Sequence, residues 1–283
     1  MEIKELQLDK LTIVGNLKKD LESSFQLVLN NSLHVNILDS ATSFVKGNFF
    51  NSFEDSVYFE YDGVNSSAMK KRNFRLEFNP AKILKDQSVF IKKYIMPLLS
   101  DVAFSRLDLA LDINVRLSTF NFEIFGLTKT QIYSKDGSLS TLYIGSRQSN
   151  RMIRVYDKKR QLYEVVKEDI SDEILWRLEF ELKGSSYIDK LIRDGFDTII
   201  DFRIIDYDYS SLTASDEIFI SSMYLNPDAF SRLSKPTKSR YRKIAKSLPG
   251  IDLSIEFKKN IQKNNPLILD ELKGYQANAL NGL

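Results

Sequence analysis

The chain has 283 residues, of which 43% are hydrophobic and 28% charged; this is enough to bury a sizeable core and excludes a disordered or fibrous class. The formal net charge is only +2, so affinity for a polyanion must come from a local patch. Cysteine is absent and His34 is the single histidine, which excludes disulfides, thiolate metal sites and any site built on a histidine pair. The opening MEIKELQLDK is charged, no secretory signal is read there, and no apolar run approaches the ~20 residues of a membrane span. These features predict a cytoplasmic protein.

In chain order, Leu11–Val14 predicts a short strand and Leu17–Asn30 an amphipathic helix, from apolar residues at helical spacing. Val35–Leu38, Thr42–Phe49, Ser56–Tyr61 and Asn73–Phe78 predict strands, and Val89–Leu99 a helix bent at Pro97. Three segments then combine period-two alternation with dense charge. In Arg106–Asp112, leucines face one way and Arg106, Asp108, Ala110 and Asp112 the other. Thr141–Ser146 and Arg151–Asp157 flank the polar turn Arg147–Asn150, a hairpin signal that puts Arg154, Tyr156 and Lys158 on one face. In Trp176–Lys183, Arg177, Glu179, Glu181 and Lys183 oppose Trp176, Leu178, Phe180 and Leu182. Pattern alone favours a charged face that is simply solvated.

Beyond Asp201 the alternation weakens. Asp206–Ser215 is turn-like, and Glu217–Tyr224 and Asp228–Leu233 predict short helices. Arg232, Lys235, Lys238, Arg240, Arg242, Lys243 and Lys246 then fall within fifteen residues that hold no acidic one. On a helix starting near Thr237, Arg242 and Lys246 share a face beside Lys243, which suits phosphate contacts; a plain basic helix face is the alternative. Ile251–Asn260 predicts a further segment, and the residues from Gly274 a loose tail.

Val57–Gly63 echoes Ile153–Lys158, and Phe74–Phe78 echoes Trp176–Phe180, each second block preceding a candidate helix. The expectation is an α+β fold of two similar lobes with antiparallel sheets, a possible internal duplication, followed by a basic, mainly helical C-terminal module. The ranges are 1–103 for a degenerate N-terminal lobe, 104–205 for a catalytic lobe and 206–283 for a DNA-binding and specificity segment. The repeat makes Tyr61 the expected counterpart of Tyr156, without its basic flank.

RLDLALD, YIGSRQSNRMIRVYDKK and WRLEFELK, in that order, resemble the core of the Rep_trans family of plasmid rolling-circle replication initiators, which is related to mobile-element relaxases. The likeness is close over about Phe104–Lys183 and looser to about Ile261. It implies a bacterial enzyme whose tyrosine, falling on Tyr156, attacks origin DNA to leave a 5′-phosphotyrosyl link and a free 3′-OH, and later religates. It also implies a homodimer, a host helicase as partner, and origin specificity set within the C-terminal region. A relaxase of a conjugative element with the same chemistry and a non-catalytic DNA-binding module are the alternatives.

A phenol with pKa ~10 needs help to attack a phosphodiester, and both attack and departure need positive charge at the phosphate. Arg154 and Lys158 supply part of it. With one histidine in the chain, a metal must be held by carboxylates, which suits Mg²⁺ or Mn²⁺. Glu179 and Glu181 stand ~6.7 Å apart along a strand and can converge, whereas Asp108 and Asp112, ~13 Å apart, cannot share an ion easily. Asp108, Glu179 and Glu181 are therefore the expected ligands; salt bridges to Arg106, Arg177 and Lys183 are the plain alternative. No Gly-x-x-x-x-Gly-Lys-Ser/Thr loop is present, so DNA unwinding is not expected from this chain.

Overall fold

The computed structural model describes residues 2–31, 35–50, 56–63, 71–124, 126–167 and 174–280; His34 lies outside them. Strand β1 (Gln7–Leu17) is followed by helix α1 (Glu22–Asn31), β2 (Val35–Ala41), β3 (Phe44–Phe49), β4 (Val57–Asp62) and β5 (Phe74–Phe78). Helix α2 (Lys85–Phe90) continues in wider and then tighter turns to Leu98, where Pro97 lacks the N–H to go on. The chain then forms β6 (Leu99–Ile113), β7 (Asn121–Glu123), β8 (Lys129–Tyr133), β9 (Leu139–Ile144), β10 (Arg151–Asp157), α3 (Lys158–Gln161), β11 (Trp176–Lys183) and α4 (Ser185–Asp194). Last come β12 (Arg203–Tyr207), α5 (Ala214–Leu225), α6 (Pro227–Ser231), α7 (Lys235–Ser247), β13 (Gly250–Asp252) and α8 (Ser254–Leu280).

Among the described residues the two lobes expected from the repeat are the halves of one ten-stranded antiparallel sheet, ordered β2-β3-β4-β5-β1-β6-β11-β10-β9-β8. Each half opens with its central strand, β1 or β6, and closes with the strand beside it, β5 or β11; the remaining strands lie progressively outward. The halves join along β1 and β6, where Leu11 opposes Leu107 and Lys10 opposes Asp108. Gly145 starts the β9–β10 turn at φ +100; a Cβ there would lie 3.0 Å from the Arg151 carbonyl oxygen, so the turn requires glycine.

Register corrects one expectation. Glu77 opposes Tyr58 and Arg75 opposes Glu60, as Glu179 opposes Arg154 and Arg177 opposes Tyr156. With the FRLEF and WRLEF blocks aligned, the counterpart of Tyr156 is Glu60, not Tyr61. A slip of one residue moves a side chain to the other face. Tyr61 accordingly lies in the apolar core, its ring 6.3 Å from that of Phe25, and its hydroxyl donates to Glu22 at 3.1 Å.

One face of the sheet carries the main core, which runs from Leu6 to Tyr275 and includes Phe25, Phe59, Leu107, Leu109, Phe180, Ile188, Phe257, Ile261 and Leu272. The ranges 1–103 and 104–205 therefore share one core, to which α8 of the range 206–283 also contributes. A second, small cluster of Ile220, Phe230, Tyr241 and Ala245 holds α5, α6 and α7 together. Helix α8 belongs to the main body, which corrects the loose tail expected from Gly274. Tyr275 is fully buried, its ring 5.5 Å from Phe78, with Lys92 Nζ 4.5 Å above it. Polar Gln276, Asn278 and Asn281 mask this anchor in the sequence. Tyr275→Ala should cost roughly 3–5 kcal/mol, the usual cost of removing a buried aromatic ring, read as a lower urea midpoint.

The other face is polar, and in the first half it centres on Glu77. This carboxylate meets Lys10 at 2.5 Å, Arg75 at 2.5 Å and Thr12 Oγ1 at 3.1 Å. Burial opposes its charge, but these hydrogen bonds prevail and hold its pKa down at about 2. Because the folded pKa lies below the unfolded one, the stabilisation is present above pH ~4.5 and fades as pH falls toward 2. Glu77→Gln should lose roughly 1–3 kcal/mol near pH 7, allowing for the half-exposed partners, and the gap to wild type in chemical denaturation should narrow below pH ~4.

Candidate active site

The second half of the polar face is built from β6, β11, β10 and β9. In-register pairing places Asp108 opposite Glu181 and Asp112 opposite Arg177, and Tyr156 opposite both Arg177 and Thr141. This is not a solvated face: Asp108, Asp112, Arg177, Glu179 and Tyr156 are all buried. Buried charge persists only where it is paired, and each of these groups is.

Glu179 is the centre. Its two oxygens accept from Arg154 Nη2 at 2.7 and 2.6 Å, and the Tyr156 hydroxyl donates to Oε2 at 3.2 Å. The Arg154 guanidinium lies over the Tyr156 ring, 4.9 Å from its centroid. Its Nε is buried without a hydrogen-bond partner among the described residues. Burial and then the Glu179 charge push the Tyr156 phenol up from its ordinary value, against Arg177 and Arg154, so the resting phenol keeps its proton. Arg177 reaches Asp112 at 2.5 and 2.8 Å and Asp9 at 3.2 Å.

Lys158 also comes beside Tyr156, but not through strand alternation. The strand ends at Asp157, whose carboxylate caps α3 by accepting from Arg160 N at 2.9 Å. The helix then brings Lys158 Nζ to 5.9 Å from the Tyr156 ring centroid and within 3.0 Å of Gln161. Burial, then Arg177, lowers the Lys158 pKa. Lys159 lines a separate hollow with Arg116, Asp157 and Trp176.

The carboxylates expected to hold a metal are brought to one face. Asp108 is gripped by Arg106 at 2.7 and 2.6 Å; the same guanidinium reaches Glu181 at 2.6 Å, and Lys183 also pairs with Glu181. Burial, outweighing Arg106 and reinforced by Glu179 and Glu181, pushes the Asp108 carboxyl up to about 6. This all-oxygen set has the chemistry a hard divalent cation takes. As arranged, however, Arg106 fills the position between Asp108 and Glu181, and no three acidic or histidine side chains among the described residues form a metal-binding group.

Tyr156 opens onto a cleft of about 500 Å³, lined also by Tyr133, Lys135, Thr141, Tyr143, Arg154 and Arg160. The hairpin expected from the sequence brings β9 beside β10; the β8 contribution has no such signal, because Lys129–Tyr133 lacks the charged alternation of the other strands and reaches the cleft only by pairing with β9. Of the basic run, Lys235, Lys238, Arg240, Arg242, Lys243 and Lys246 lie on α7, with Arg232 just before it. All are exposed but half-buried Lys238. Arg240 pairs with Asp216 of α5 at 3.3 Å, a partner remote from the run. Tyr241 turns inward and stacks on Phe219 at 4.8 Å.

Comparison with known proteins gives consistent matches. The profile of the replication initiation factor family matches residues 121–219, and that of the replication initiation protein N-terminal domain matches residues 10–99. A replication initiation protein of Staphylococcus aureus is 30% identical over 278 residues, spanning 96% of this chain and 85% of its own. A second from the same organism is 27% identical over 274 residues with the same coverage. The solved structure of a rolling circle replication initiator protein from Geobacillus stearothermophilus is similar with a TM-score of 0.47 and 15% identity, over 93% of this chain and 97% of that one. With such identity along nearly its whole length, this chain belongs to the replication initiation factor family.

Proposed function

We propose that this chain starts rolling-circle replication by nicking one strand of its origin, with Tyr156 as the nucleophile. The observation that carries this reading is the phenol held by Glu179 beneath Arg154 at the floor of a cation-lined cleft. The Tyr156 oxygen attacks a phosphodiester, the new O–P bond forms in line with the leaving 3′ oxygen, and the P–O3′ bond breaks. Glu179 takes the phenol proton as general base. Arg154 stabilises the charge that gathers on the phosphoryl oxygens. Lys158, its pKa lowered, protonates the departing 3′ oxygen. The products are a 5′-phosphotyrosyl link and a 3′-OH that primes synthesis; the link keeps the phosphodiester energy, so religation needs no ATP.

A Mg²⁺ or Mn²⁺ ion held by Asp108, Glu179 and Glu181 would add Lewis-acid charge at that phosphate. It would take the position that Arg106 fills. The basic stripe of α7 docks the duplex, a homodimer supplies a second tyrosine for termination, and a host helicase unwinds ahead. Replication is favoured over a relaxase role because the relatives are replication initiation proteins.

The test is incubation with supercoiled DNA of its own replicon and Mg²⁺ or Mn²⁺, followed by mass mapping of the protein. Relaxed plasmid with a nucleotide adduct on the Tyr156 peptide supports the reading. An adduct on Tyr133 or Tyr143 keeps the enzyme class and moves the nucleophile within the cleft. Binding without nick or adduct leaves a DNA-binding module.

A further inference from the structure

Below α7 lies a second cavity, of about 540 Å³, within the size of small-molecule sites. It differs from the stripe above it, since phosphate contacts need only a cationic surface. Its walls are aromatic: Tyr207 on β12, Tyr224 on α5 and Phe230 on α6. Both tyrosine hydroxyls donate to Glu123 Oε1, that of Tyr224 at 2.6 Å. Glu123 Oε2 accepts from Arg203 Nη1 at 3.4 Å, a long contact that leaves this oxygen acceptor capacity, and both residues line the cavity.

The rim is cationic. Lys238, Arg242 and Lys246 recur every fourth residue of α7 and so form one row, and all three border the cavity. Lys238 Nζ is held by the Ser231 carbonyl at 2.9 Å, and the Arg242 guanidinium sits 5.7 Å from the Phe230 ring centroid. Flat aromatic walls, a carboxylate acceptor among them and a row of cations outside complement a heteroaromatic ring attached to a phosphate chain. An aliphatic ligand would leave the rim and Glu123 unused.

A third hollow shares one lining residue with the cleft of Tyr156 and one with this cavity. Tyr133 borders both that cleft and this smaller hollow, of about 250 Å³ at the β8 edge. Tyr224 borders both this hollow and the α7 cavity.

We propose that the α7 cavity receives one unstacked nucleobase of the DNA strand, with Lys238, Arg242 and Lys246 on its flanking phosphates. A base out of its stack is read by aromatic walls and an edge acceptor, so this would be a specificity site separate from the nucleophile. The inference rests on the DNA-nicking reading above.

The test uses the full chain as Tyr156→Phe, so that DNA stays uncut, and a labelled single-stranded oligonucleotide spanning the nick region of its own replicon. Abasic sugars are placed at each position in turn. One position is expected to weaken binding by ~5- to 100-fold, the usual effect of losing a stacked base. Adding Ser231→Trp, a substitution at the exposed mouth that puts an indole where the base would sit, should erase the penalty at that position while leaving the salt dependence unchanged. Lys238→Ala should weaken every oligonucleotide alike and flatten the salt dependence. Because Ser231 is on the surface, thermal melting checks that the fold is kept; Met223→Phe, filling the cavity from its wall, should give the same erasure. A flat scan, or a penalty that survives both fillings, overturns the proposal while nicking by the unmodified chain stands. Absence of any DNA binding overturns the nicking reading as well.

Discussion

Tyr156→Phe should bind origin DNA with unchanged affinity and lose nicking by on the order of 10⁴-fold or more, the scale seen when a covalent nucleophile is removed. The substitution deletes one oxygen. Its hydrogen bond to Glu179 is the long one of the set, at 3.2 Å, while the two Arg154 contacts near 2.7 and 2.6 Å remain to hold the carboxylate. The ring stays beneath Arg154, so folding should cost about 1 kcal/mol. Stability, binding and cleavage thus separate in one variant, measured by melting, gel shift and relaxation of supercoiled plasmid. Cleavage within tenfold of wild type would mean that another group attacks, and the adduct map would then point to Tyr133 or Tyr143.

Glu179→Gln is the second large effect. The amide keeps the shape but takes no proton and leaves Arg154 without its partner charge. Cleavage should fall by roughly 10²- to 10⁴-fold, the usual contribution of a general base. Stability should drop by about 1–3 kcal/mol from the loss of a charge-assisted hydrogen-bond set at a buried site. The two losses are distinguishable by the conservative variant. Glu179→Asp keeps a carboxylate that can take the proton and should recover part of the rate lost in the Gln variant, whereas no change at Glu179 should restore cleavage to Tyr156→Phe. A Gln variant that nicks normally, however stable, would make Glu179 a structural partner of Arg154 alone.

Period-two alternation in Arg106–Asp112, Arg151–Asp157 and Trp176–Lys183 was enough to identify the strands that bear the candidate site and the face each side chain takes, because alternation is a local property of extended backbone. The same local logic located α7, where Ser234 caps the helix by accepting from Thr237 N at 3.3 Å and Pro236 sits in the first turn. It failed where non-local pairing intervened. Nothing local says that β11 lies between β6 and β10, and this order is what sets Glu179 against both Arg154 and Tyr156. Repeat alignment without strand pairing leaves a one-residue ambiguity, which sets Tyr61 instead of Glu60 against Tyr156, and that slip exchanges the faces. Arg151–Asp157 agrees with β10 at both ends, but alternation carried one residue further, to Lys158, does not hold: Asp157 caps a helix there, so Lys158 arrives from α3. Charge balance was the least legible part. Composition shows many acids and bases on one face, but whether that face is wet or buried depends on what packs around it. In the folded chain Asp108, Asp112, Arg177 and Glu179 are desolvated, and desolvation is what raises the Tyr156 and Asp108 pKa values. Local spacing was therefore sufficient for the strand faces, and the resemblance of three sequence blocks for the family and the nucleophile candidate. Strand order, burial and the α7 cavity came from contacts between segments far apart in the chain, which no local pattern encodes.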